Sequence, residues 1–217
     1  MKATLWSLGK QESTMPIKQT LASIAAVLLL SPFAYAADSY KIDPAHTSIS
    51  FSVRHLGLNN VKGQFKDFTG AIVLEDGKIT EASGTIQAKS VDTGVQQRDN
   101  HLRTADFFDA TNYPTITFKT KRIEMTGGQI ILVADFTMRG VTKELRLPAN
   151  LAGPAKDPWG NLRVGLGAKT KLNRMDYGIK YHQALETGVL AVGEEVELEI
   201  NAEAVKETAS KGRSESK

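Results

Sequence analysis

The sequence contains no cysteine in its 217 residues. Disulfide staples, thiolate metal sites and thiol nucleophiles are therefore excluded together. Charge of one sign is also missing, with 27 Lys and Arg against 24 Asp and Glu. Beyond residue 36 the balance is 24 basic to 23 acidic. A near-neutral chain without a basic stripe has no electrostatic footprint for nucleic acid. No P-loop, Gly-x-Gly-x-x-Gly or Gly-x-Ser-x-Gly elbow occurs, so the commonest nucleotide and serine-hydrolase signatures are absent. Aromatics make up only 7%, which makes their positions informative. What remains is 41% hydrophobic, an ordinary fraction for a chain that builds a core.

A single apolar run exists, Leu21-Ala22-Ser23-Ile24-Ala25-Ala26-Val27-Leu28-Leu29-Leu30. It is about half the roughly 20 residues that span a bilayer as a helix. Lys18 precedes it, Pro32 breaks it, and Ala34-Tyr35-Ala36 supplies small residues at a cleavage spacing. Basic, apolar and small in that order predicts a secretory signal over 1–36, cut after Ala36. Translation from Met15 gives the same reading with a shorter basic region. The product expected from 37 onward is soluble and exported.

From residue 37 the hydrophobic period is two, the mark of strands buried on one face. Ile49, Phe51 and Val53 alternate with serines, and Val61, Gly63 and Phe65 continue the pattern. The phase slips at Lys66-Asp67, as at a bulge or sharp bend, and resumes with Phe68, Gly70, Ile72 and Leu74. Ala82, Gly84, Ile86 and Ala88 follow, then Ile116, Phe118 and Thr120. Asp76-Gly77, Gly127-Gly128 and Arg139-Gly140 read as turns. The segment 153–160, with two prolines and Trp159, reads as a loop before Leu162, Val164, Leu166, Ala168, Thr170 and Leu172. Val196, Leu198, Ile200 and Ala202 against Glu195, Glu197, Glu199 and Asn201 form the clearest strand. The spacing predicts an all-β, antiparallel fold of roughly eight strands over 37–205, a barrel or a sandwich, and the repeated one-face burial favours a closed barrel or a strongly curled sheet. A helical insertion over 93–108, with Thr93 and Gln96 at capping-box spacing, covers a mouth. Residues 206–217 read as a polar tail.

Chemistry-bearing residues are few. Asp43-x-x-His46 and Asp99-x-His101 are spaced as two-ligand pairs but match no zinc motif, so no metal is assigned. Arg98-Asp99-Asn100-His101 packs charge and amide just before Phe107-Phe108, either as helix ion pairs or as a rim for a polar head group. Phe51, Phe65, Phe68, Phe118 and Phe136 lie on apolar strand faces. In a barrel of about eight strands such a face either packs solid or encloses one small apolar molecule. Gly63, Gly70, Ala82, Gly84, Ala88, Gly165 and Ala168 would leave it space.

Several segments together resemble the YceI-like family. They are Ser90-Val91-Asp92-Thr93-Gly94, Arg98-Asp99-Asn100-His101-Leu102-Arg103, Asp106-Phe107-Phe108-Asp109-Ala110 and Tyr113-Pro114-Thr115-Ile116-Thr117-Phe118. Asp43-Pro44-Ala45-His46-Thr47, Val53-Arg54-His55-Leu56-Gly57, Arg139-Gly140-Val141-Thr142-Lys143 and Arg174-Met175-Asp176-Tyr177-Gly178 add to them, with Tyr177 in place of phenylalanine. The resemblance implies an exported bacterial protein with a lipocalin-like barrel that binds polyisoprenoid or other long lipid chains. It implies a non-catalytic carrier of an isoprenoid quinone or polyprenyl phosphate, with that lipid as ligand, no further cofactor, and transient membrane contact. The expected ligand-binding residues are Phe51, Phe65, Phe68, Phe107, Phe108, Phe118 and Phe136, with Arg98 and His101 toward the head group. A lipid-modifying enzyme using His101 and Asp99, and a stress protein with a packed barrel, stay open, as does the oligomeric state, a homodimer included.

Overall fold

Turn chemistry sets the connectivity. A computed structural model describes residues 37–208; the expected signal segment and the end of the chain lie outside the described residues. The strands are β1 (Asp38–Ile42), β2 (Ser48–His55), β3 (Asn59–Phe65), β4 (Phe68–Glu75), β5 (Lys78–Gln87), β6 (Val91–Asp92), β7 (Thr115–Thr126), β8 (Gln129–Met138), β9 (Val141–Lys156), β10 (Leu162–Asn173) and β11 (Val192–Lys206). One α-helix, α1 (Gln96–Leu102), interrupts them. Asp76-Gly77, Gly127-Gly128 and Arg139-Gly140 each carry two successive positive φ angles. That is the requirement of a type I′ turn, whose twist matches the strands it joins.

Every pairing is antiparallel, and the order β1-β4-β5-β7-β8-β9-β10-β11 closes through β1 against β11. The extra strands come from breaks in long ones. β1 and β2 both run along β11, at Tyr40↔Lys206 and at Phe51↔Leu198. β4 pairs with β1 while β3 pairs with β2; β5 pairs with β4 while β6 pairs with β3. The break at 66–67 is where the alternation slips phase. Eight long strands thus form the expected barrel, and closure leaves no long unpaired edge. Between β6 and β7 the wall has no ladder, and α1 with residues 103–114 fills the gap.

Because neighbours run in opposite directions, turns fall at alternate ends. Residues 56–58, the α1 segment, Arg139-Gly140 and 174–191 share one end. Asp76-Gly77, Gly127-Gly128 and 157–161 share the other. The apolar interior divides the same way. Tyr40, Ile72, Leu74, Leu132, Leu147 and Val164 pack the second end, while Phe51, Phe65, Phe107, Ile116, Phe136 and Leu172 belong to the first.

Three local expectations are corrected. The helix covers 96–102 rather than 93–108, and its N-cap, Val95, makes no side-chain cap bond. Gly94 (φ +77°) turns the chain there, and Thr93 Oγ1 instead donates to Asp99 Oδ1 at 2.6 Å. Beyond Leu102, Arg103 donates to the carbonyls of Lys89 and Val91, and successive turns aim Phe107 and Phe108 inward. Second, β9 runs on through both Pro148 and Pro154 to Lys156. Its register against β10 shifts between Arg163 and Gly165, and such irregularities accommodate a residue without an N–H. The loop is only 157–161. Third, the tail starts later than 206, since Lys206 pairs with Tyr40 and the Glu207 amide donates to Ser39 O.

Candidate ligand-binding cavity

Inward side chains from all around the ring leave a cavity of about 350 Å³, within the range of small-molecule sites. Its floor is the packed end: Ile72, Ala82, Leu132, Leu147, Leu166 and Ala202. Its walls rise to the other end through Ile49, Ile86, Met138, Leu145, Leu172 and Leu198. Phe51, Phe65, Phe68, Phe107, Phe108, Phe118, Phe136, Arg98 and His101 all border it, so the structure brings the nine residues singled out in the sequence to one chamber.

The aromatics are arranged in groups. Phe108 stands edge-on to Phe65 and Phe51, with ring centroids at 5.4 and 6.4 Å, and Phe51 and Phe65 are 5.8 Å apart. These tilted and edge contacts are the favoured aromatic geometries, and they dock the α1 segment onto β2 and β3. Phe107, Tyr181 and His101 form a second group, with centroids 4.8 to 5.5 Å apart. Phe118 and Phe136 are cross-strand partners on β7 and β8, and Tyr177 meets Phe136 edge-on.

The small residues contribute unequally. Ala82, Gly84 and Ala168 border the cavity, and a Cβ at Gly84 would find its nearest neighbour at 3.6 Å. A Cβ at Gly63 would run into the Phe51 ring, so that glycine makes room for a side chain and adds no void. At Gly70 a Cβ would approach Ser83 O at 2.6 Å, although the residue lies on the lining. Ala88 is buried but off the lining, and Gly165 has the outward parity of β10, between Val164 and Leu166.

Polar groups gather at one end. His101 Nε2 lies 2.8 Å from Asp106 Oδ2, whereas Asp99 accepts from the Thr93 amide and hydroxyl. The expected His101–Asp99 pair is therefore not formed: positions i and i+2 of a helix point to different sides. Arg98 is partly engaged, donating from Nε to Thr93 Oγ1 (2.7 Å) and from Nη2 to Thr93 O (3.0 Å). The most buried polar lining group, Arg174, lies in one of the segments that carry the family resemblance and is not among the expected ligand-binding residues. Arg174, 3% exposed, donates from Nε to Gly193 O (2.9 Å), from Nη1 to Ile179 O (2.6 Å), and from Nη2 to Tyr181 O (2.8 Å) and Val192 O (3.0 Å). Burial lowers its pKa below the ordinary guanidinium value. In the sequence it is one more charge in a polar turn, and nothing local marks it as buried.

The other spaced pair lies in a different place. Asp43 Oδ2 is 2.8 Å from His46 Nδ1 and 2.8 Å from Arg163 Nη1. Arg163 also holds Asp157 (2.8 Å) and Glu203 (2.7 Å). Asp43, His46 and Glu203 have ligand atoms within 4.8 Å of one another, yet the guanidinium already supplies the cation between the two carboxylates. Arg163, and after it His46, hold the Asp43 carboxyl down to about 2. Arg163 likewise holds Asp157 well below the carboxylate range. This network ties β1, β10, β11 and the 157–161 loop together outside the cavity.

Comparison with known proteins matches residues 40–204 to the YceI-like domain. A Vibrio cholerae UPF0312 protein is 35% identical over 195 residues, covering 87% of this chain and 99% of its own. Protein YceI of Shigella flexneri is 36% identical over 194 residues, covering 88% and 98%. Among solved structures, a Campylobacter jejuni YceI protein superposes with a TM-score of 0.62 at 32% identity, covering 71% of this chain and 90% of that one. A polyisoprenoid-binding domain from Saccharophagus degradans, implicated in plant cell wall breakdown, superposes with a TM-score of 0.59 at 15% identity, covering 77% and 98%. At that identity the likeness is one of fold.

Proposed function

The chain belongs to the YceI-like family, and from that membership we propose that it binds a long isoprenoid lipid inside the barrel, as a non-catalytic carrier in the periplasm. The observation that carries the reading is the apolar chamber of about 350 Å³. Each CH₂-sized unit withdrawn from water contributes about 0.8 kcal/mol, so a tail of tens of carbons needs an apolar enclosure to cross an aqueous space. Strands of about ten residues rise about 30 Å, enough to enclose an extended or folded chain. In this reading the seven phenylalanines contact the tail, the lipid takes the place a cofactor would hold, and Arg98 and His101 stand near the head.

Exposed apolar groups support transient membrane contact. Leu58, Val95, Tyr113, Leu185 and Val189 lie on loops at the aromatic end, against Met125 and Trp159 at the packed end. Leu58 is 79% exposed, and the turn that holds it touches Val189 through Gly57. Such tips suit shallow insertion where a lipid enters or leaves. The spacing of the signal segment supports export.

Solvent extraction of protein purified from a periplasmic fraction, followed by mass spectrometry, tests the proposal. The expected result is a prenyl lipid in stoichiometric amount that raises the melting temperature when added back, since a ligand at a hundred times its Kd stabilises by about 2.7 kcal/mol. Recovery of no prenyl or acyl lipid overturns it.

A further inference from the structure

Neighbouring strands of the barrel hold one another through ladders of backbone hydrogen bonds. The seam between β6 and β7 is closed differently, by residues 93–113. Among the described residues, the bonded backbone amides of 103–113 all donate to carbonyls of 99–109. Arg98 and Asp99 likewise spend their bonds on Thr93. The segment is a self-contained unit, able to shift without breaking a backbone bond to any strand.

Side chains fasten it instead. Apart from the Gly94 amide on the adjoining Asp92, its hydrogen bonds to the rest of the described barrel come from two arginines. Arg103, on the segment, donates to Lys89 O (2.7 Å) and Val91 O (2.9 Å) on the β6 side. Arg139, in the β8–β9 turn, donates from Nη1 to Ala105 O (2.6 Å) and Phe107 O (2.5 Å). Tyr113 rests on the same turn, since a Cβ at Gly140 would meet its ring at 2.7 Å.

Arg139 occupies a position that suits arginine poorly. Its φ is +53° and that of Gly140 is +73°, and a turn with both angles positive favours asparagine, aspartate or glycine. Longer side chains are disfavoured in that left-handed region. The turn itself gains nothing from arginine; the fastening of the segment does. What that fastening controls is the chamber, because Phe107 and Phe108 ride on the segment and border the cavity. Outward movement withdraws both rings, against only their edge and tilted contacts with Phe51, Phe65 and Tyr181.

We infer that residues 93–113 form a hinged panel in the barrel wall, that ligand enters and leaves by its displacement, and that Arg139 is the latch holding it shut. Arg139 is a positioning residue: it is absent from the cavity lining and acts through the carbonyls of Ala105 and Phe107. The inference rests on the lipid-binding reading and adds the route of exchange. Local opening draws on segments with few bonds to their surroundings, and this one has the fewest ties to the sheet.

The test is Arg139→Asn, which supplies a turn-favoured residue while removing the guanidinium, with Arg139→Lys as the conservative variant. Hydrogen exchange on the ligand-free mature protein is expected to be about tenfold faster at the amides of 103–113 and unchanged in β8 and β9. Phenylnaphthylamine, a neutral apolar fluorescent probe, should enter and leave about fivefold faster in stopped flow. Its Kd should stay within about twofold, because a latch that alters only the barrier scales both rates alike. Arg139→Lys, which keeps a cationic donor, should fall between wild type and Arg139→Asn. Unchanged hydrogen exchange at 103–113 overturns the inference. Exchange that rises over the whole barrel, loss of folding included, also overturns it by making Arg139 a general support. Probe rates that do not follow the panel overturn it as well. Failure of the probe and of prenyl lipids alike to bind the wild type overturns the lipid-binding reading instead, a result on which the hydrogen-exchange comparison does not depend.

Discussion

The two ends of the barrel use one pattern, alternating inward apolar residues, to opposite effect. At the packed end Leu132 and Ala204 are fully buried, with aliphatic and small side chains interlocked. At the aromatic end Phe51, Leu145 and Leu172 keep 9% exposure, and they border the chamber. Aliphatic residues with their small neighbours close the first end. Bulky rings at the second lean on one another and on the α1 segment, and hold the walls apart. A barrel of this size is thus half core and half container, and the difference lies in side-chain shape more than in hydrophobicity.

Stability should show the division most strongly. Leu74→Ala removes a filled position, buried in the packed end and off the cavity lining, and is expected to cost about 3–4 kcal/mol, as for other buried leucines. Leu198→Ala, facing the void, has lost part of its packing already and should cost about 1 kcal/mol. Urea denaturation of both variants gives the comparison, and equal costs would mean that the two ends are packed alike.

Filling the void is the converse experiment. Leu198→Trp is expected to weaken prenyl-lipid binding about a hundredfold, ~2.7 kcal/mol, while leaving the urea midpoint nearly unchanged. A destabilisation of about 1–3 kcal/mol, typical of an overfilled core, would show that no room was there. At the loops, Leu58→Asp combined with Val189→Asp should slow transfer of lipid from vesicles about tenfold. Affinity for the same lipid in detergent should stay the same; an unchanged transfer rate removes these tips from the route.

The smallest effect concerns acid, and it belongs to the packed end. The folded-state pKa of Asp43 is about 2, held there by Arg163 and His46, below the ordinary value near 4. A carboxyl lowered in this way stabilises the fold above its unfolded pKa, and that contribution fades as pH falls from about 4 to about 2. Thermal melts of wild type and Arg163→Met should therefore differ most near neutral pH and converge toward pH about 2. A difference that does not change with pH would assign Arg163 a packing role only.

Much of the barrel could be read because period-two alternation survives wherever one face is wet. The strand from Val196 to Ala202, the phase slip at Lys66-Asp67 and the glycine turns each carry their own local signal. Prolines hid the continuation of β9, since tolerance at 154 depends on the register shift against β10, and Pro148 stays in the ladder opposite Ile131 of β8. The helix was overestimated because Thr93 and Gln96 have capping spacing, while a buried Asp99 competes for the Thr93 hydroxyl. Arg174 was illegible, for the same reason that Asp99 and His101 looked like partners: side-chain direction and burial depend on segments far away in the chain.

Local pattern was enough to establish an antiparallel barrel and the shared face of the strand phenylalanines, because both follow from the two-residue repeat of a strand and from turn residues acting over two or three positions. Tertiary structure alone decided that one end packs solid and the other stays hollow, and that the hollow is bordered by arginines without carboxylates. Those properties arise when Leu172, Leu198, Phe108 and Arg174, from distant stretches of chain, meet across a closed ring, where volume and charge are set by what faces what.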